Sequence, residues 1–110
     1  MKLPNAKGAI VDVKKLRGYC LNQHHPRGRH KARVFAATLG MVAADAEILR
    51  GALLIAAITE DALLVETDEY GQRYQLDFTL EKDDRKARLR SNWIVRRGED
   101  FPRLTSCYVL

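Results

Sequence analysis

The three histidines of the chain sit at positions 24, 25 and 30, and Arg27, Arg29, Lys31 and Arg33 follow them closely. Pro26 and Gly28 interrupt the run. Imidazole is the side chain that titrates nearest neutrality, so it can take a proton from an attacking hydroxyl or give one to a leaving oxygen. Guanidinium offers a planar fork that matches two phosphate oxygens. Pro26 suits a first helical turn, so a helix is predicted to start between Pro26 and Arg29. Free backbone N–H groups and the dipole at such a terminus favour an anion, and Gly28 permits close approach. Types and spacing therefore point to phosphate chemistry. His25 and His30 are the acid–base candidates, with Lys31 beside them, and Arg27, Gly28 and Arg29 are the candidate phosphate binders. His24 is less suited to share their direction. Two plainer readings stand beside this one. The stretch is a solvated basic loop, or it is a metal site. The second lacks a ligand spacing and places a cation among positive charges.

Hydroxyls come from the other end of the chain. Thr105, Ser106 and Tyr108 lie on one predicted strand and Ser91 on the strand before it. Such groups can orient a phosphate, although Tyr108 reads as core rather than catalytic. The chain has no phosphate-loop lysine motif, no nucleophile elbow and no paired-cysteine zinc motif.

These residues need elements to position them. VDVKKLRGYCLN places Val13, Leu16 and Cys20 at helical spacing behind Asp12, a suitable N-cap. The helix that opens near Pro26 carries Ala32, Phe35, Ala36 and Leu39 on one face and ends at Gly40. A third helix runs through AADAEILRGALLIAAI, with Ala46, Leu49, Leu53 and Ala56 facing the core. The period then changes from helical to alternating. ALLVETDEY is a strand, and Gly71 marks a turn. RYQLDFTLE alternates, with Tyr74, Leu76, Phe78 and Leu80 inward. After a DDR turn, KARLRSNWIV puts Ala87, Leu89, Trp93 and Val95 inward, and RLTSCYVL closes as a last strand. The fold class is α+β: N-terminal helices packed on one face of a roughly four-stranded antiparallel sheet. The other face stays polar, and Arg73, Arg88 and Arg90 point to it as further phosphate or RNA binders.

The 110 residues are expected to form a single domain, 1–110. A hydrophobic share of 46% and a charged share of 30% are those of a soluble globular protein. No apolar run is long enough to span a bilayer and the N-terminus lacks a signal peptide, so a cytoplasmic protein without a membrane partner is expected. Cys20 and Cys107 read as small buried thiols. No cofactor or metal is implied. The net charge of +5 favours a polyanion, RNA first. The charge is concentrated in Arg27–Arg33 and Arg85–Arg97.

Four pieces together resemble a known family: the HPRGRHKARVF block, YGQRY, the Trp-Ile-Val strand, and the closing PRLTSCY. They are similar to a family of short bacterial proteins catalogued as a domain of unknown function. More distantly, the pattern is similar to the barnase–EndoU–colicin–RelE superfamily of metal-independent ribonucleases, many of them toxins. That resemblance implies RNA transesterification driven by the substrate's own 2′-hydroxyl. His25 or His30 would be acid or base, Arg27, Lys31 and Arg90 would stabilise charge, and Ser106 would stand at the hydroxyl position of a Thr-Ala-Tyr type ending. The expected function is a metal-independent endoribonuclease, the toxin of a toxin–antitoxin pair, with RNA and a small acidic antitoxin as partners. The alternative is a non-catalytic module that binds RNA or protein through the basic sheet face. Oligomeric state stays open.

Overall fold

A computed structural model describes residues 1–110, and its second half is built from two tight turns. Asp83 takes the left-handed conformation (φ 57°) that a short polar side chain tolerates, which folds β2 (Gly71–Lys82) back on β3 (Arg85–Arg96). The turn before β2 is held by Asp68, whose Oδ1 accepts from the N–H groups of Tyr70 (2.8 Å) and Gly71 (3.2 Å). β1 (Leu63–Asp68) and β4 (Arg103–Val109) complete an antiparallel sheet of order β1-β2-β3-β4. The glycine at this turn opens β2 rather than occupying the turn itself, which is Glu69–Tyr70.

The alternation read from β2 and β3 holds. Tyr74, Leu76, Phe78 and Leu80 are buried, as are Leu89 and Trp93, while Ala87 and Val95 are half-buried against the core. Ser91 is buried in the same row, where its hydroxyl donates to Leu76 O (2.8 Å) and accepts from Trp93 Nε1 (2.9 Å). It anchors the indole and is unavailable to a ligand, which corrects its reading as a phosphate-orienting hydroxyl. β4 breaks the alternation. Its pairing with β3 shifts between Asn92 and Trp93, so Ser106 faces Asn92, Leu104 faces Trp93, and Thr105 is the extra residue. The bulge lets Leu104 and Cys107 both turn inward and sends Ser106 and Tyr108 to the open face.

Three helices cover the inner face. Asp12 caps α1 (Val13–Lys15) by accepting from Lys14 N (2.9 Å), and the chain continues through Leu16–Cys20 as a π turn closed by Leu21 N to Leu16 O. α2 (Arg29–Leu39) ends at Gly40 in the left-handed conformation (φ 66°) and buries Ala32, Phe35 and Leu39, with Ala36 half-buried. α3 (Ala46–Thr59) buries Ala46, Leu49, Leu53 and Ala56. The sequence reading of helix positions and faces is therefore correct. Ahead of α1, Ile10 pairs in parallel with Arg103 and extends the sheet for one residue. At the opposite edge β1 is uncovered: Leu63, Leu64 and Val65 are exposed, with a second bulge after Leu64. No helix is long and apolar enough to cross a membrane.

Cys20 and Cys107 are both buried and are not joined in a disulfide. Burial pushes both thiols up from their ordinary values. A disulfide-exchange reagent should leave both unmodified in the native protein and titrate both once urea unfolds it. Rapid labelling of the folded chain would contradict this burial.

Candidate functional site

Counting back from the hairpin turn, Lys82 opposite Arg85 places Asp77 opposite Arg90, and Arg90 in turn faces Tyr108 on β4. All three project from the open face. Arg90 holds Asp77 in a two-pronged pair, Nε to Oδ1 at 2.9 Å and Nη2 to Oδ2 at 3.0 Å. The Asp77 carboxylate is the main cause that holds the Arg90 guanidinium above its ordinary value, and burial opposes it. Arg90 likewise holds the Asp77 carboxyl below the usual carboxylate range. Lys31 reaches round the β4 edge from α2, and its Nζ stands 4.3 Å from the centre of the Tyr108 ring. One row away, Asn92 Nδ2 donates to Ser106 Oγ (2.8 Å). Lys15 Nζ donates to Thr105 O (3.2 Å) at the same edge. Tyr108 thus has its ring under an ammonium and stands opposite Arg90 in the strand register, with Ser106 and Asn92 adjoining. Three cations gather there against one carboxylate.

Of the residues singled out from the sequence, Lys31, Arg90 and Ser106 meet here. Arg73 and Arg88 share the open face but do other work. Arg73 Nε donates to Asp68 Oδ2 at 2.7 Å. Arg88 donates to Thr79 Oγ1 (3.2 Å) beside an apolar cleft of about 330 Å³ between α3 and β2. That cleft is lined mainly by Ala52, Ile55, Ala56, Phe78 and Leu80 and holds no other cation, so its apolar walls do not suit a phosphate. The face is accordingly less basic than its arginines alone suggest, because Asp68 and Asp77 neutralise two of them.

The histidine stretch is arranged differently from its sequence reading. His25 Nδ1 accepts from the backbone N–H groups of Arg27 and Gly28, both at 3.0 Å, and its ring packs edge-on against Tyr19 with centroids 4.5 Å apart. The acceptor role at Nδ1 assigns the Nε2-protonated tautomer. Gly28 is buried, and a Cβ there would meet Tyr19 O at 2.7 Å. Its close approach is to the protein's own carbonyl and its N–H is engaged by His25, so it does not cradle a phosphate. His30 is exposed on α2, about 100° round the helix from Lys31. Arg27, Arg29 and His24 are exposed as well. No group of three or more His, Cys, Asp or Glu side chains is arranged to hold a metal ion. Tyr108, read as core, is instead half-exposed at the centre of the cluster, and Asp77 and Asn92 join it unforeseen.

His25 therefore acts as a local cap. His25→Ala should lower stability by about 1 kcal/mol, the usual cost of a lost N-cap acceptor. His25→Asn, which restores an acceptor, should recover most of it. Urea unfolding of the two variants checks this, and equal losses in both would remove the capping role.

The architecture is a helical layer on one face of a four-stranded antiparallel meander, with a cationic cluster at the β4 edge of the other face. The chain belongs to the family described as domain of unknown function (DUF6883), whose model matches residues 2–110. No curated protein matches it in sequence. In fold it is similar to a chain of the contact-dependent growth inhibition toxin–immunity protein complex from Klebsiella pneumoniae 342. The TM-score is 0.71 at 16% identity, over 92% of this chain and 99% of that one.

Proposed function

We propose that this chain is a metal-independent endoribonuclease whose reaction centre is the cluster of Lys31, Arg90, Ser106 and Tyr108, and that it acts as a toxin restrained by a protein inhibitor. The observation that carries the reading is the placement of Tyr108 between Lys31, which lies over its ring, and Arg90, which faces it across the strand pair, on an open sheet face. In RNA the 2′-hydroxyl attacks the adjacent phosphorus, the P–O5′ bond breaks, and the products are a 2′,3′-cyclic phosphate and a 5′-hydroxyl. Lys31, and the N–H groups of Arg90 that Asp77 leaves free, take the charge that grows on the non-bridging oxygens. Ser106, oriented by Asn92, fixes the phosphate. Tyr108 gives its proton to the departing 5′ oxygen, and solvent at this open face takes the 2′-hydroxyl proton and re-protonates the phenol. The nucleophile is internal to the substrate and side chains supply the positive field, so the reaction asks for no metal.

The fold likeness to a chain of a toxin–immunity complex supports the toxin reading, and the excess positive charge supports RNA as substrate. An acidic inhibitor would cover Lys15 and Lys31 at the β4 edge. In this scheme His25 shapes the loop that starts α2, and His30, Arg27 and Arg29 add to the field that draws RNA in. The same face also suits a module that binds RNA without cutting it, a reading favoured by the lack of an imidazole in the cluster. Incubation of purified protein with a mixed RNA pool in EDTA separates the two. Cleavage that persists in EDTA and is lost in Tyr108→Phe supports the nuclease, whereas tight binding without cleavage supports the module.

A further inference from the structure

The same sheet face carries a second cationic site beyond the cluster. A cleft of about 490 Å³ opens where the β1–β2 turn meets the end of β3. Its walls are Tyr70, Arg73, Arg96 and Arg97, and Ile94 and Thr105 lie beneath them. This volume is within the range of sites that hold one small ligand. Tyr70 is 63% exposed, the most exposed aromatic of the chain's large hydrophobic side chains, and its ring has no core to fill. The turn that presents it is fixed, because Asp68 accepts from Tyr70 N and Gly71 N, and Arg97 N donates to Tyr70 O (3.0 Å). Arg73 is committed to Asp68 and Arg103 to Glu99. Arg96 and Arg97 are exposed and enter none of the ion pairs. Glu69 is the one carboxylate on the wall. A presented aromatic face beside two uncommitted guanidiniums matches a base and its phosphate.

We infer that this cleft is a nucleotide subsite: Tyr70 stacks on a base of single-stranded RNA, and Arg96 and Arg97 hold the adjoining phosphate. Ile94 stands four residues along β3 from Arg90, about 13 Å. A strand of RNA that lies along β3 with its reacting phosphate at Arg90 therefore delivers a nucleotide beyond the two that flank that phosphate to Tyr70. The inference rests on RNA as the ligand of this sheet face, as proposed above, and adds where the substrate is held away from the bond that breaks.

The test is fluorescence anisotropy with a labelled, mixed-sequence 2′-O-methyl RNA, which binds but has no 2′-hydroxyl to react. Tyr70→Ala should weaken binding about tenfold or more, and Tyr70→Phe should leave it near wild type. Arg97→Ala should weaken binding and flatten the dependence of log K on log salt by roughly one phosphate contact. Unchanged affinity in Tyr70→Ala, or no binding by the wild type, overturns the subsite. A dinucleotide too short to reach Tyr70 isolates the reaction centre: the wild type should cut it and Tyr108→Phe should cut it far more slowly. If the 2′-O-methyl RNA binds through Tyr70 but the protein cuts no RNA, the subsite stands and the nuclease reading falls.

Discussion

Tyr108→Phe should cleave RNA about 10²–10⁴-fold more slowly than the wild type, the usual cost of a missing acid–base group. The substitution removes one oxygen and keeps the ring on which Lys31 rests, so the fold and the cation–π contact at 4.3 Å persist. Binding of the 2′-O-methyl RNA should change little, which places the loss in the chemical step. Lys31→Ala and Arg90→Ala should each cost about 10²–10³-fold, as for loss of one donor that stabilises transition-state charge. Arg90→Ala has a second consequence. It leaves the Asp77 carboxylate without its two-pronged partner, and an unpaired negative charge then faces the phosphate. Arg90→Lys keeps the charge but not the fork, so it should rescue only part of the loss. Single-turnover cleavage with enzyme in excess, beside a urea midpoint for each variant, is the measurement. A folded Tyr108→Phe protein that cuts at the wild-type rate would remove Tyr108 from the chemistry.

From the sequence Tyr108 reads as core, and the cause of its exposure is local. Regular alternation from Leu104 carries Tyr108 inward, and only the extra residue at Thr105 reverses the phase, so that Cys107 is buried and Tyr108 is not. A bulge leaves no mark in composition or hydropathy. Asp77 was within reach of the sequence: a two-residue turn at Asp83–Asp84 fixes the β2–β3 register, and the register puts Asp77 against Arg90. The helices were legible because Asp12, Gly40 and the apolar spacing of α2 and α3 all agree. The histidine stretch misled for the opposite reason. Residue types indicate which chemistry is available but not where a side chain points, and His25 turns back to its own loop. Of the charged side chains in that stretch Lys31 is the one placed over a strand residue, and it is so placed because it flanks the buried stripe of Ala32 and Phe35.

Gly71→Ala should be the most damaging of the glycine substitutions, with a loss of about 3 kcal/mol or more and a fall in Tm of roughly 10 °C or more. Gly71 has φ 146°, a backbone conformation that residues with a Cβ rarely adopt. A Cβ there would stand 2.1 Å from Val95 O and 2.9 Å from Arg96 Cα, and both are backbone atoms of a paired strand. No side chain can rotate away to make room, so the β2–β3 ladder itself must shift. Two other glycines separate the causes. Gly98 also has positive φ (82°), yet nothing lies within 4 Å of a Cβ at that position, so Gly98→Ala should cost only the backbone strain, about 1 kcal/mol. Gly51 lies in α3 with open space around it, so Gly51→Ala should stabilise by up to about 1 kcal/mol. Gly71 also opens β2 directly after Tyr70, next to the ends of Arg96 and Arg97, so its substitution should disturb RNA binding as well as folding. The order expected in urea is therefore Gly51→Ala above wild type, then Gly98→Ala, then Gly71→Ala far below. A Gly71→Ala protein that unfolds together with Gly98→Ala would mean that the β2–β3 turn tolerates a Cβ against Val95, and the register that aligns Asp77, Arg90 and Tyr108 would then need to be redrawn.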